Sequence, residues 1–257
     1  MRQVPKTIQV FQHLSDWRAF RNQYFGSLGF VPTMGALHEG HLTLVRRSRQ
    51  ENARTLVSIF VNPTQFNDPN DLKNYPRTFE RDAEMLKAEG ADFILYPSPE
   101  EIYADKYRYK VTENEFSREL CGAHRPGHFD GVLTVVLKLL NIARASNAYF
   151  GEKDFQQYEL IKDMCEAFFI PTKIIGCPTV REQDGLAMSS RNVRLEEEQR
   201  RLAAQFPRVL REARETNLAR AELERLGFEV DYITQLRGRR FGAVRLGEVR
   251  LIDNVQV

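Results

Sequence analysis

Short apolar and β-branched runs alternate with amphipathic stretches through the first two-thirds of the chain, the pattern of parallel strands joined by crossover helices. Leu28-Gly29-Phe30-Val31-Pro32 reads as a buried strand. A glycine-bearing turn then runs into His41-Leu42-Thr43-Leu44-Val45-Arg46-Arg47-Ser48-Arg49, whose apolar positions keep helical spacing. Thr55-Leu56-Val57-Ser58-Ile59-Phe60-Val61 is a second strand, too apolar to leave a solvated face. Arg77 to Gly90 predicts a helix ended by Gly90, and Asp92-Phe93-Ile94-Leu95-Tyr96 a strand stopped by Pro97 and Pro99. From Asp130 to Ala145 apolar residues crowd nearly all round a helix, which reads as buried between the sheet and another surface, such as a second subunit. A strand at Ala148-Tyr149-Phe150, a helix from Phe155 to Phe168 and a strand at Thr172-Lys173-Ile174-Ile175-Gly176 complete the series.

From Arg191 onward the character changes: fourteen arginines, no lysine, and a long helical stretch from Leu195 to about Glu215. Two or three short strands follow, among them Phe228 to Ile233 and Val249 to Asp253. The shift marks a domain boundary before a small α+β unit.

At 257 residues and 42% hydrophobic content the chain suits one large domain or a domain with an appendage. No run reaches the eighteen or so apolar residues of a membrane span, and Met1-Arg2-Gln3-Val4-Pro5-Lys6 leads into no apolar signal core, so the expected address is cytoplasmic. Cys121, Cys165 and Cys177 are widely spaced and form no C-x-x-C pair, as expected of reduced thiols. A net charge of +2 provides no global field for nucleic acid or membrane, and any anion site must be local.

Neither G-x-x-x-x-G-K-[ST] nor G-x-G-x-x-G occurs, so a nucleotide site would be of another kind. Met34-Gly35-Ala36-Leu37-His38-Glu39-Gly40-His41 follows the first strand at the mouth of a helix, where backbone amides and the macrodipole favour phosphate. Histidines three apart on a helix lie roughly 60° apart and about 4.5 Å along the axis, so His38 and His41 can donate to one anion. Gly35 and Gly40 suit a backbone that must approach a ligand closely. The blander reading is a polar turn at a helix start; the position after a buried strand weighs against it.

Asn62-Pro63-Thr64-Gln65-Phe66-Asn67 stands beyond the second strand, where open α/β sheets bind ligands and where Gln65 can both donate and accept. An Asn- and Pro-bearing turn explains it equally. Gly151-Glu152-Lys153-Asp154-Phe155-Gln156-Gln157 again follows a strand. Lys153 can meet a phosphate or carboxylate, Asp154 a ribose hydroxyl or Lys153 itself, and Gln157 lies one turn on; a charged helix start is the alternative. Met188-Ser189-Ser190-Arg191 offers two hydroxyls and a guanidinium to an anion, although Ser-Ser-Arg is a common loop sequence. Recurrence at successive strand ends argues for one site. Three weaker candidates remain. Arg125-Pro126-Gly127-His128-Phe129 places a cation near the site or is an ordinary loop. Asp82 and Glu84 sit beside a magnesium ion or, the better reading, on a solvated helix face. Arg237-Gly238-Arg239-Arg240 reads as a solvated turn rather than a nucleic-acid patch.

These blocks, with Phe30-Val31-Pro32-Thr33 ahead of the first, Tyr75-Pro76-Arg77-Thr78, Asp184-Gly185-Leu186-Ala187 and Arg250-Leu251-Ile252-Asp253-Asn254, occur in the order found in the pantothenate synthetase (pantoate–β-alanine ligase) family, which the chain resembles over residues 28 to 195 and again at its end. The resemblance implies an α/β fold: a Rossmann-like parallel sheet with helices on both faces in residues 1–180, and a small α+β lid in 181–257; the chain departs from the family pattern between Glu215 and Phe228, which reads as abbreviated. It implies condensation of pantoate with β-alanine using ATP and Mg²⁺ through a pantoyl-adenylate, in a homodimer. ATP contacts carry over to Met34, Gly35, Ala36, Leu37, His38, Glu39, Gly40 and His41, to Gly151, Glu152, Lys153 and Asp154, and to Val180, Met188, Ser189, Ser190 and Arg191. The same resemblance implies that Gln65 and Gln157 hold pantoate, with Gln65 also near β-alanine, and that His41 is the proton donor. Asn62 joins the substrate side, and His38, His41, Lys153, Ser189, Ser190 and Arg191 form the catalytic set; no metal-ligating residue is assigned. A nucleotidyltransferase acting on a phosphorylated substrate would need further cations, and a non-catalytic nucleotide-binding module would leave four strand-end clusters unexplained.

Overall fold

The computed structural model describes residues 7–257; Met1 to Lys6, read above for a signal segment, lie outside them. Six parallel strands form the main sheet: β1 (Gln9–Phe11), β2 (Leu28–Thr33), β3 (Arg54–Ile59), β4 (Phe93–Leu95), β5 (Asn147–Gly151) and β6 (Lys173–Cys177). Their spatial order is β1-β4-β3-β2-β5-β6, so the sequence direction reverses between β2 and β5. A crevice opens beyond the carboxyl ends of the strands at such a reversal.

The crossovers are α1 (Leu14–Gln23), α2 (Glu39–Glu51), the short α3 (Pro69–Lys73), α4 (Phe79–Ala88), the single turns α5 (Pro99–Ile102) and α6 (Cys121–His124), then α7 (His128–Ala143) and α8 (Phe155–Ala167). The apolar periodicity located α2, α4, α7 and α8 to within a few residues. It gave no sign of β1 and α1. β1 is three residues long with two exposed, and it is a strand because it pairs with β4; α1 anchors through Trp17, fully buried, whose indole N–H donates to the Ile142 carbonyl at 2.8 Å. α7 is buried on nearly all sides, and this chain itself supplies the cover: α1 and α8 pack on it, and Val132, Val135, Val136 and Leu139 floor a cleft.

The stretch expected as one helix from Leu195 to Glu215 divides into α9 (Glu197–Ala203) and α10 (Gln205–Glu212), followed by α11 (Thr216–Arg225). Pro207 has no N–H to offer the Ala203 carbonyl, so a continuous helix would lose that bond. Three antiparallel strands end the chain: β7 (Glu229–Leu236), β8 (Arg239–Leu246) and β9 (Val249–Gln256). Only Arg237 and Gly238 of the tetrad read as a solvated turn form one, both with positive φ as a tight hairpin demands. Arg240 is instead buried in β8 and donates to the Leu210 and Ala213 carbonyls at 2.8 and 2.5 Å, satisfying the carboxyl end of α10.

The three cysteines are buried and none is in a disulfide. Among the described residues no helix is long and apolar enough to cross a membrane.

Candidate active site

The reversal between β2 and β5 opens into a cleft of about 250 Å³, lined by residues from all four strand-end clusters. Its first wall is the turn from β2 into α2. The Thr33 hydroxyl donates to the Ser58 carbonyl and accepts from the Gly35 N–H, after which Gly35 and Ala36 both take positive φ, +79° and +50°. That left-handed pair directs the Ala36 and Leu37 N–H groups away from the cleft, onto the Asp82 carboxylate at 2.8 and 2.9 Å. Asp82 also accepts from the Thr78 hydroxyl and is fully buried. This corrects both readings considered for Asp82, metal neighbour and solvated face: its oxygens are occupied by the turn. Glu84 lies exposed near Lys87, away from the cleft.

His38 caps α2. Its Nδ1 accepts from the Gly40 N–H at 3.2 Å, while its own N–H donates to Nδ1 of His41 at 3.3 Å. A ring nitrogen that accepts carries no proton, so both imidazoles are held as Nε2–H tautomers. The rings lie 4.1 Å apart between centroids and both line the cleft. Burial, then the Lys153 charge, pushes His38 down to about 4; burial, then His38 and Lys153, pushes His41 down to about 3. Both therefore present neutral N–H donors at neutral pH. Gly40 has its reason here, since a Cβ would sit 2.9 Å from the His38 ring.

At the end of β3, Asn62 is buried and fully engaged: its amide donates to Gln65 Oε1 and the Gly131 carbonyl, and its oxygen accepts from the Tyr103 and Thr64 hydroxyls. It thereby orients Gln65, whose Nε2 turns to Met34 Sδ at the cleft wall. Arg125 and His128 hold the same segment through the Gln65 carbonyl, at 3.0 and 2.8 Å. Among the described residues Arg125 has no carboxylate partner within ion-pair distance; burial, then the charge of Arg250, lowers its guanidinium to about 10. Burial and Arg125 hold His128 near 3.

At the end of β5, Lys153, Asp154 and Gln157 line the cleft, with Lys153 Nζ 3.7 Å from the Asp154 carboxylate. The opposite wall is the arm after β6, where an isolated bridge pairs Arg181 with Ala187 and the Met188 N–H donates to the Val180 carbonyl. Val180, Met188, Ser189, Ser190 and Arg191 all reach the cleft. Arg191 lies over the Tyr75 ring and pairs with Asp71 at 2.9 Å, and Ser190 meets the Tyr75 hydroxyl.

Not every predicted residue faces the cleft. Gly35, Ala36 and Leu37 shape the turn from within the protein; Glu39 pairs with Arg46 and Glu152 with Arg239, so their carboxylates are directed elsewhere. Sequence reasoning missed Asp71, Tyr103 and the propping role of Asp82. Among the described residues no group of three or more His, Cys, Asp or Glu side chains can hold a metal ion.

Comparison with known proteins extends the likeness to nearly the whole chain. Residues 3–256 match the family described as pantoate-beta-alanine ligase. A Bdellovibrio bacteriovorus protein named pantothenate synthetase is 53% identical over 249 residues, covering 97% of this chain and 99% of its own length. A Legionella pneumophila protein of the same name is 51% identical, with 96% and 99% covered. The matches to these two run over nearly their whole lengths, and in this chain the segment between Glu215 and Phe228 holds α11. Among solved structures, a Francisella tularensis pantoate-beta-alanine ligase complexed with beta-gamma ATP and beta-alanine superposes with a TM-score of 0.94, at 41% identity and with 97% and 98% of the two chains covered. A Thermus thermophilus pantothenate synthetase superposes at 0.91, with 38% identity and 97% and 99% covered.

Proposed function

The chain belongs to the pantoate–β-alanine ligase family, and from that premise we propose how its cleft carries the reaction. The protein is an ATP-dependent ligase that joins pantoate to β-alanine, giving pantothenate, AMP and diphosphate. In the first step a pantoate carboxylate oxygen attacks the α-phosphorus in line. A P–O bond to pantoate forms, the bond to the bridging oxygen breaks, and diphosphate leaves with the negative charge. In the second step the β-alanine amine attacks the activated carbonyl, expels AMP and gives up a proton as the amide forms.

The observation that carries this assignment is the reciprocal His38–His41 cap at the end of β2, which leaves Nε2–H free as the donor on two rings lining a cleft also lined by Lys153 and Ser189-Ser190-Arg191. Donors fixed before the reaction stabilise charge developing on diphosphate without reorganising. Met34, Gly151, Asp154, Val180 and Met188 line the nucleotide side. Gln65, oriented by Asn62, and Gln157 bind pantoate over the apolar floor of α7, whose side chains keep water from the mixed anhydride. Asp154, the carboxylate that lines the cleft, would hold Mg²⁺, which would supply charge neutralisation at the ATP phosphates; a single carboxylate suits an ion that takes few protein ligands. Arg125, a half-buried cation with no acidic partner among the described residues, binds the β-alanine carboxylate. A homodimer and a cytoplasmic location complete the reading; the mass in solution tests the first.

The direct test incubates the purified protein with ATP, Mg²⁺, pantoate and β-alanine and reads AMP and pantothenate. Absence of AMP dependent on both acids would sink the assignment. For Arg125→Gln, loss of a charged hydrogen-bonding partner is expected to raise the KM for β-alanine about ten- to a hundredfold, with pantoate-dependent ATP–diphosphate exchange within about twofold. An unchanged β-alanine KM would remove Arg125 from that role.

The histidines also set a pH expectation. Their folded pKa values, about 4 and 3, lie below the ordinary 6.5, so the unfolded chain binds more protons between those values. Their linked contribution to stability is present above pH 6.5 and is lost as pH falls toward 3. The exchange reaction should accordingly run level from pH 8 down through 6 with no limb near 6.5; a histidine limb there that disappears in His41→Ala would contradict the neutral-donor assignment.

A further inference from the structure

Two adjacent residues near the end of β9 grip both segments that carry cations into the cleft. The Asn254 amide donates to the carbonyls of Glu152 and Lys153 at 2.9 and 3.0 Å, and its oxygen accepts from Arg239 at 2.7 Å. With donors and acceptor all engaged, the amide has one orientation. Arg239 also pairs with the Glu152 carboxylate at 3.0 Å and lies over the Phe155 ring, closing the ring of contacts round the turn. Asp253 takes Arg181 in a two-pronged pair at 2.6 and 2.9 Å, and Arg181 begins the bridged arm that leads to Ser189, Ser190 and Arg191. Asp253 and Asn254 are each 3% exposed.

The turn at Glu152–Asp154 has little else to fix it. It carries no side-chain cap of its own, and nothing lies within 4 Å of where a Cβ on the preceding Gly151 would stand. Holding two successive backbone carbonyls fixes the peptide plane between them and the direction in which the Lys153 side chain leaves the backbone. We propose that Asp253 and Asn254 are positioning residues for the phosphate site: Asn254 aims Lys153, Asp253 aims the Ser189-Ser190-Arg191 arm through Arg181, and their adjacency on one strand sets the spacing between the two.

This rests on the assignment of Lys153 and Arg191 to the ATP phosphates, and the test separates the two claims. Asn254→Asp keeps the shape and removes the N–H donors. In the full-length protein it should lower kcat/KM for ATP in pantoate-dependent exchange about thirtyfold, with the pantoate KM and adenosine binding within about twofold. In a Lys153→Ala background it should add no more than about twofold, because the group it aims is gone. Arg239→Met, which frees both the Asn254 oxygen and Glu152, should show the same coupling and serves if Asn254→Asp does not fold. Asp253→Asn should couple to Arg191→Ala and not to Lys153→Ala. Losses that multiply fully in the Lys153→Ala background, or adenosine binding weakened as much as ATP, would reduce Asn254 to a structural tie and overturn the proposal. If Lys153→Ala alone leaves exchange unchanged, the phosphate assignment itself falls, and this inference with it.

Discussion

Replacing His41 with alanine should slow pantoate-dependent ATP–diphosphate exchange about a hundred- to a thousandfold, the usual loss when one fixed donor to a developing anion is removed. Two functions of the ring are lost together. One is the Nε2–H donor of a ring that lines the cleft. The other is the acceptor that satisfies the His38 N–H, half of the cap on α2. They differ in size: a helix cap is worth about 1 kcal/mol of stability, whereas the expected rate loss corresponds to about 3–4 kcal/mol in the transition state. Chemical denaturation and exchange kinetics on the same preparation separate them. A well-folded His41→Ala protein that exchanges within about threefold of the parent would exclude the ring from the reaction.

Asp82→Ala should produce the largest loss of stability, about 3–5 kcal/mol, although Asp82 is not among the residues that line the cleft. Its carboxylate accepts from the Ala36 and Leu37 N–H groups and from Thr78 in a fully buried position. Each buried donor left unsatisfied costs about 1–3 kcal/mol, and Ala36 would then hold its left-handed conformation without support. The folded fraction should bind ATP at least about tenfold more weakly, since the turn that presents His38 and His41 is no longer fixed. Urea unfolding and ATP titration measure the two effects. A loss below about 1 kcal/mol with unaltered ATP binding would show that the turn holds its shape without the carboxylate.

The His38–His41 turn was legible because its information is local: an apolar run ends, a glycine follows, and two histidines stand three apart at a helix mouth. Asn62, Gln65, Lys153 and Gln157, all of which line the cleft, were singled out by the same logic of strand ends, and Val180 only through family resemblance. Asp82 could not be found this way. It lies forty-odd positions along the chain from the amides it binds, and nothing around Arg81-Asp82-Ala83 distinguishes it from a solvated helix face. β1 and α1 escaped for a related reason, since a three-residue strand with two exposed positions carries almost no periodic signal. β8 was hidden by Arg239 and Arg240, whose charges suggested solvent until Asn254, Glu152 and the end of α10 were seen to occupy them.

α7 is packed against the sheet and against α1 and α8, and part of it floors the cleft. Val132, Val135, Val136 and Leu139 belong at once to the main hydrophobic cluster and to the lining of the cleft. A change to the floor of the cleft is therefore also a change to the core. Trimming one of these side chains to admit a bulkier acid also opens a void in the core, where each missing methylene costs roughly 1 kcal/mol. Broadening the acid range of this ligase would have to begin elsewhere, with compensating stabilisation of the C-terminal sheet or of α1, before the floor of the cleft could be altered.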